Sequence, residues 1–137
     1  MPKVLSRNEQ EISTEDDVVV FRRKVRALAQ QRGFDPFATA ALTTAASELA
    51  RNVLVHAARG LGVLEEVNDG RRSGLRLELR DEGPGIVDVE RALAGGFSTA
   101  HSLGLGLSGS RRLVDDFQLE STVGVGTVVT VVKWARF

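Results

Sequence analysis

Apolar side chains recur every three or four positions in the first half of the chain, the spacing of amphipathic helices. One series predicts a helix over about 14–32, and an alanine-rich series predicts a second helix over about 35–58. Thr14 and Asp35 stand where these helices begin and are residue types that cap helix N-termini. Glycines follow both series, and Gly60 is the expected stop of the second helix.

A two-residue alternation replaces the helical spacing further along the chain. Residues 75–80 alternate leucine with charged side chains, so Leu75, Leu77 and Leu79 are expected on the buried face of a strand. An apolar run precedes them across a polar turn, which predicts a β-hairpin. The segments expected to be extended are 4–12, 61–67, 75–80, 118–122 and 127–134.

Most of the fourteen glycines fall in the second half of the chain, where they mark turns and loops. Between the strands the pattern predicts a short helix over 89–94, a polar loop over 95–102 and a helix over about 105–117. Helices and a mostly antiparallel sheet, in one layer each, indicate an α/β (α+β) two-layer sandwich. We expect residues 1–137 to form a single domain, since this length supports one core.

Composition excludes several classes of function. Eighteen basic residues balance eighteen acidic ones, so no overall field favours nucleic acid or membrane partners. The sequence has no apolar run long enough to span a bilayer and no cysteine for disulfides or thiolate metal sites. These features predict a cytoplasmic protein.

Glu48 and Asn52 are the first candidate functional residues. Four positions apart on the second helix, they lie one turn from each other and flank its apolar stripe. A carboxylate and an amide placed in this way could bind Mg²⁺, or Glu48 could act as a base beside a metal-bound phosphate. Polar residues at a helix boundary are the plainer interpretation. His56 falls within the apolar sector and is expected to be a core histidine without a catalytic role.

Asp81 ends the alternating strand and opens the sequence Asp-Glu-Gly-Pro-Gly. A carboxylate there can accept a hydrogen bond from the exocyclic amine of adenine, whereas it would repel the carbonyl of guanine. Gly83 and Gly85 would let the backbone approach the ring closely. An ordinary strand-to-loop turn would have the same composition.

Residues 104–109 read Gly-Leu-Gly-Leu-Ser-Gly and open a predicted helix, so backbone N–H groups there could hold phosphates. A dinucleotide-binding loop is disfavoured because a polar segment, and not a strand, precedes the glycines. That segment, which includes Ser98 and Thr99, could cover the phosphates as a lid. Thr127 opens the last strand, where its hydroxyl could reach adenine directly or through water.

In this order and spacing the motifs resemble the ATP-binding Bergerat fold of the GHKL superfamily, over nearly the whole chain. Within this superfamily the chain resembles the small serine/threonine switch kinases of the RsbT type. The other members need a further domain or a phospho-accepting histidine on a helical hairpin. The segments that carry this resemblance are 47–52 (SELARN), 96–99 (GFST), 104–107 (GLGL), 112–117 (RLVDDF) and 133–134 (KW).

The resemblance implies ATP with Mg²⁺ as cofactors, Glu48 as the catalytic base and Asn52 as the magnesium ligand, with Glu48 as a possible second ligand. The implied nucleotide contacts are Asn52, Asp81, Gly83, Gly85, Ile86, Ser98, Thr99, Gly104, Leu105, Gly106, Leu107 and Thr127. The implied substrate is a serine or threonine of a STAS-domain antagonist or scaffold protein. A PP2C-type phosphatase is the implied second partner, bound and activated once the kinase is released.

The chain departs from the wider family at Ser102, where anti-sigma kinases of the RsbW and SpoIIAB type often have arginine. This disfavours a sigma factor as partner and leaves the group that stabilises the γ-phosphate unassigned. Two alternatives remain open at this point: an anti-sigma factor kinase that sequesters a sigma factor, and a nucleotide-dependent binding module without significant kinase activity.

Overall fold

The computed structural model describes residues 2–87, 89 and 103–135, with the backbone alone over 103–106. Three helices and five strands lie within these residues. In chain order they are β1 (Lys3–Ile12), α1 (Glu15–Gln31), α2 (Pro36–Ala57), β2 (Gly60–Asn68), β3 (Ser73–Asp81), α3 (Leu103–Leu113), β4 (Asp116–Thr122) and β5 (Gly126–Trp134).

Both predicted helix starts are confirmed, each with a side-chain cap. Thr14 Oγ1 accepts a hydrogen bond from the Asp17 N–H at 3.1 Å, and the Asp17 carboxylate accepts one from the Thr14 N–H at 3.1 Å. Asp35 Oδ1 accepts from the Ala38 N–H at 2.7 Å, with Pro36 in the first helical position. These contacts satisfy N–H groups that have no partner within a helix.

The five strands form one sheet in the order β1-β2-β3-β5-β4, and every neighbouring pair is antiparallel. β2 and β3 form the predicted hairpin, and β4 and β5 form a second one. The crossover from β3 to β4 leaves room for β5 between them. β5 therefore lies against β3, although the residues paired at this end, Asp81 and Thr127, are 46 positions apart in the sequence.

The helices pack on one face of this sheet. Leu75, Leu77 and Leu79 of β3 are buried there, as predicted, in one cluster with residues of α1 and α2 such as Phe21 and Leu49. The opposite face carries a smaller buried cluster of three side chains, Val67, Val132 and Trp134. The predicted two-layer fold is confirmed, with the main core between the helices and the sheet.

The third helix ends earlier than its apolar pattern predicts. Residues 114–117 were expected to continue it, but α3 ends at Leu113 and β4 begins at Asp116. Asp115 Oδ2 accepts from the Trp134 N–H at 2.8 Å, and Asp116 Oδ2 accepts from the indole N–H of Trp134 at 3.1 Å. Hydrogen bonds to β5 therefore hold this segment beside the sheet.

The second helix also stops before the expected glycine. α2 ends at Ala57, and Ala58 has a positive φ of 67°. Gly60 already belongs to β2, where an added Cβ would collide with the Arg80 carbonyl. This glycine therefore permits close packing between strands and does not terminate the helix.

The predicted helix over 89–94 and loop over 95–102 lie outside the described residues, apart from Val89. In the part of the chain that the structure describes, no helix is long and apolar enough to cross a membrane.

The turn between β2 and β3 depends on the ionised carboxylate of Asp69. Hydrogen bonds from the backbone N–H groups of Arg71 and Arg72, and the Arg72 guanidinium, lower the pKa of this carboxyl from 3.8 to about 2. A lowered folded-state pKa means that the stabilisation is present above the unfolded pKa and is lost as pH falls through the folded value.

We expect the wild-type protein to lose more stability than Asp69→Asn between pH 4 and pH 2, the window set by these two pKa values. Asparagine keeps the hydrogen-bond acceptor and removes the charge, so the difference isolates ionisation. Melting temperatures measured from pH 6 to pH 2 test this. Parallel curves for the two proteins would show that Asp69 does not contribute in this way.

Candidate nucleotide-binding site

A pocket lies between α2, one end of the sheet and the first half of α3, with about 500 Å³ of empty space including its mouth. Its wall is mostly apolar and carries a few polar groups, as in small-molecule sites. The lining residues are Leu49, Asn52, Val53, His56, Leu79, Asp81, Pro84, Gly85, Ile86, Leu107, Thr127 and Val129. Six of the predicted nucleotide contacts lie among them.

The antiparallel register brings Asp81 and Thr127 together. Asp81 is the last residue of β3, and Thr127 lies opposite it near the start of β5. Both side chains line the pocket and are partly buried. An acceptor carboxylate and a hydroxyl therefore lie side by side in its wall.

The loop that follows Asp81 is held close to the β4–β5 turn. The Gly83 N–H donates to Asp81 Oδ1 at 2.9 Å, which orients the carboxylate. The Gly124 N–H donates to the Pro84 carbonyl at 2.8 Å. Gly85 has φ of 79°, and an added Cβ there would lie 2.5 Å from the Thr122 carbonyl oxygen. Both predicted glycines thus shape this wall of the pocket.

Asn52 presents a buried amide to the same pocket. Its Nδ2 is buried and has no hydrogen-bond partner among the described residues. A buried polar group without a partner is costly, by about 1–3 kcal/mol, and such groups often contact a ligand or water. Because the amide oxygen and nitrogen are assigned from their surroundings, either atom could face that ligand. The side chain is therefore suited to a polar ligand in the pocket.

Glu48 lies one helical turn before Asn52, outside the pocket lining. Its carboxylate is 3.6 Å from Nη1 of Arg51, and the two side chains are 43% and 47% exposed. An exposed ion pair of this kind contributes little to stability, about 0–1 kcal/mol. Glu48 is therefore accessible to a second molecule and is not held by the fold.

The glycine-rich segment forms the first turn of α3. The helix begins at Leu103, so Gly104, Leu105 and Gly106 belong to its N-terminal turn, and Leu107 is buried against the pocket. N–H groups of a first turn have no partner within the helix and carry the positive end of its dipole. An anion at this end of the pocket would be favoured.

Two lining or supporting residues were not predicted as site residues. His56 was expected in the core, but it is half-buried and lines the pocket, because the pocket cuts into the apolar stripe of α2 at this turn. Ser121 contacts Thr127 and the backbone of Ile86, and no local pattern marks it. Ser98, Thr99 and Ser102 lie outside the described residues.

Comparison with known proteins agrees with this arrangement. A family model described as the histidine kinase-like ATPase domain matches residues 12–133. The chain belongs to the histidine kinase-like ATPase domain family. The fold and superfamily predicted from the motifs are thereby confirmed.

Proteins similar in sequence to this chain include a serine/threonine-protein kinase and anti-sigma F factors. The chain is 43% identical to the serine/threonine-protein kinase RsbT of Bacillus subtilis, over 91% of this chain and 94% of the relative. It is 32% identical to an anti-sigma F factor of Caldanaerobacter subterraneus, over 68% of each chain. The first similarity confirms the predicted RsbT-type resemblance and supports protein serine/threonine kinase activity.

Solved structures share the fold. A crystal structure of the RsbU and RsbW domains of a Mycobacterium tuberculosis protein superimposes with a TM-score of 0.63 at 18% identity. The match covers 95% of this chain and 33% of that one. At this identity the likeness concerns the fold alone.

Two glycines with similar backbone angles test how the pocket wall is built. Gly85 and Gly124 have φ of 79° and 80°, but an added Cβ would collide only at Gly85, since nothing lies within 4 Å of it at Gly124. We expect Gly124→Ala to destabilise the fold by about 1–2 kcal/mol, the conformational penalty alone. Gly85→Ala should destabilise it more and weaken ligand binding in the pocket.

Chemical denaturation of the two variants measures the difference. Equal losses of unfolding free energy would show that the contact between Gly85 and the β4–β5 turn does not shape the pocket wall.

Proposed function

We propose that this protein is a single-domain serine/threonine kinase that uses ATP with Mg²⁺ to phosphorylate a STAS-domain protein in a bacterial partner-switching pathway. The observation that carries the proposal is the meeting of Asn52, Asp81 and Thr127 around one pocket that borders α3 at Leu107. The 43% identity to a serine/threonine-protein kinase supports the enzyme class.

The part of the pocket around Asp81 suits adenine. Leu79, Ile86 and Val129 supply apolar surface, and Asp81 supplies a hydrogen-bond acceptor at the edge. The exocyclic amine of adenine is a donor, whereas guanine presents a carbonyl that an ionised carboxylate repels. Asp81 would therefore select adenine nucleotides.

The other end suits phosphates with a divalent cation. The first turn of α3 would hold phosphate oxygens through its N–H groups, and Asn52 would contact the metal or its water. No group of three or more acidic, histidine or cysteine side chains suited to a metal occurs among the described residues. That agrees with Mg²⁺, which is usually held by substrate phosphates and only one or two protein ligands.

Glu48 is the proposed general base. The incoming serine or threonine belongs to a separate protein, so the base must be reachable from solvent, and the Glu48 side chain is 43% exposed. Its carboxylate would accept the proton of the substrate hydroxyl as ATP supplies the phosphoryl group. Positioning and charge neutralisation account for most of the acceleration in such transfers, so a small domain suffices.

The partners are proposed from similarity. RsbT-type resemblance favours a STAS-domain antagonist as substrate, with a PP2C-type phosphatase bound after release. A cytoplasmic location belongs to the same proposal, since ATP and bacterial transcription regulators are found there. An anti-sigma factor role is the second candidate, favoured by the 32% identity to an anti-sigma F factor. Capture of a sigma factor by the purified protein would distinguish the two.

Transfer of label from γ-labelled ATP to a STAS protein encoded nearby tests the proposal. We expect Glu48→Gln to lower the transfer rate by about 10²–10⁴-fold, as for loss of a general base. Its affinity for ATP should stay near the wild-type value. Glu82→Gln is the matched control, since Glu82 is an exposed carboxylate beside Asp81 and outside the pocket lining. Wild-type transfer by Glu48→Gln would refute the base assignment.

Asp81→Asn tests the nucleotide site separately. A hydrogen bond to a charged group contributes about 1.5–3 kcal/mol, so affinity for ATP should fall roughly 10–100-fold, as measured by calorimetry. Glu82→Gln should again bind normally. If ATP binds to the wild-type protein and no STAS protein accepts label, the chain is a nucleotide-dependent binding module and not a kinase.

A further inference from the structure

Ser121 continues the row of polar groups that begins with Asp81 and Thr127. Asp81 on β3 lies opposite Thr127 on β5, and Thr127 lies opposite Ser121 on β4. Directly opposed residues share one face of a sheet. The three side chains therefore follow one another across three adjacent strands, with Thr127 between the carboxylate and the serine hydroxyl.

The hydroxyl of Ser121 has three neighbours within hydrogen-bonding distance. The Ile86 N–H donates to Ser121 Oγ at 2.8 Å. The Gly126 carbonyl oxygen lies 3.3 Å from Ser121 Oγ, and Thr127 Oγ1 lies 2.8 Å from it. These contacts join the loop after Asp81, the last hairpin and the pocket wall at one atom.

Proton counting fixes the direction of these bonds. A serine hydroxyl has one proton to donate and two lone pairs to accept. The Gly126 carbonyl can only accept, so the single proton of Ser121 must go there if all three contacts are hydrogen bonds. Ser121 then accepts from both the Ile86 N–H and the Thr127 hydroxyl. In this arrangement Thr127 donates its own proton to Ser121.

The consequence lies in the pocket. With its proton directed to Ser121, Thr127 Oγ1 offers only lone pairs to a ligand. Asp81 beside it is likewise an acceptor when ionised. Among the described lining residues, the pocket wall thus presents two neighbouring acceptors and no hydroxyl donor at this level.

We propose that Ser121 is a positioning residue that sets purine specificity by holding the Thr127 hydroxyl as an acceptor; this inference rests on the proposed nucleotide site. The amine of adenine has two N–H groups and complements two acceptors, directly or through a bridging water. The carbonyl of guanine finds no donor there. Without Ser121, the Thr127 hydroxyl can rotate and donate to the carbonyl of guanine. Discrimination between adenine and guanine nucleotides then falls.

The ratio of affinities for non-hydrolysable ATP and GTP analogues, measured by calorimetry, tests this role. We expect Ser121→Ala to lower the ratio roughly two- to tenfold, the effect of one hydrogen bond. Ser121→Thr keeps a hydroxyl and should restore the ratio. In a Thr127→Val background, Ser121→Ala should leave the ratio unchanged, because the hydroxyl that Ser121 orients is absent.

A purely structural role would give a different result. Loss of the Ile86 contact alone would weaken both nucleotides together and leave their ratio unchanged, which would overturn the proposal. An equal effect of Ser121→Ala with and without the Thr127 hydroxyl would also overturn it. Failure of the wild-type protein to bind the ATP analogue would instead refute the proposed nucleotide site, and the role of Ser121 would be refuted with it.

The unaltered protein provides a second test, should Ser121→Ala not fold. An N6-methyl ATP analogue keeps one N–H of the amine, and an N6,N6-dimethyl analogue keeps none. If two acceptors face the amine, affinity for the nucleotide should fall with the first methyl group and again with the second, since each methyl group removes one N–H. Equal binding of ATP and the N6-methyl analogue would show that Thr127 does not act as the second acceptor.

Discussion

Packing of α2 against the sheet is the constraint on which the rest of this structure depends. Along one side the helix buries small and branched side chains, among them Leu42, Ala46, Leu49 and Val53, against the leucines of β3. Alanines keep the helix close to the strands, and burial of this apolar area is the main driving force for folding. The candidate nucleotide pocket opens on the same stripe, since Leu49 and Val53 belong to both the core and its lining.

This shared stripe explains how a small domain can hold a precise site. Asn52 lies between two residues that are buried in the core, Leu49 and Val53, and the nitrogen of its own amide is buried as well. A site that is held by packed elements stays organised without its ligand, which lowers the entropic penalty of binding. Glu48, on the same helix but outside the buried stripe, is accessible from solvent, as the proposed role toward a second protein requires.

The register of the sheet determines which polar side chains lie together at the pocket. Antiparallel pairing of β3, β5 and β4 sets Asp81, Thr127 and Ser121 at one level, and the loop at residues 82–87 packs over them through Gly85 and Ile86. A slip of one residue in any of these pairings would turn a polar side chain to the opposite face. Core packing of Val129 and Val131 on the helix side fixes the register and with it the chemistry of the pocket.

By itself, the sequence determined the features that depend on neighbours along the chain. Helical spacing, the caps at Thr14 and Asp35, the strand alternation at Leu75 and the motifs at 48–52, 81–85 and 104–109 all arise within a few residues, so they can be recognised without knowledge of the fold. Asn52, Asp81 and Thr127 were also predicted to share a site, because each is marked by its place at the end or edge of an element, and the structure places all three in one pocket lining.

Tertiary structure decided what depends on distant partners. Hydrogen bonds from Trp134 to Asp115 and Asp116 end α3 early, and the pocket exposes one side of His56 despite its place in the apolar stripe. Ser121 has no local signal at all: its partner Ile86 is 35 positions away, and only the pairing of β4 with β5 brings it to Thr127. The direction of a hydrogen bond depends on every group that an atom meets, and those groups are assembled only when the chain has folded.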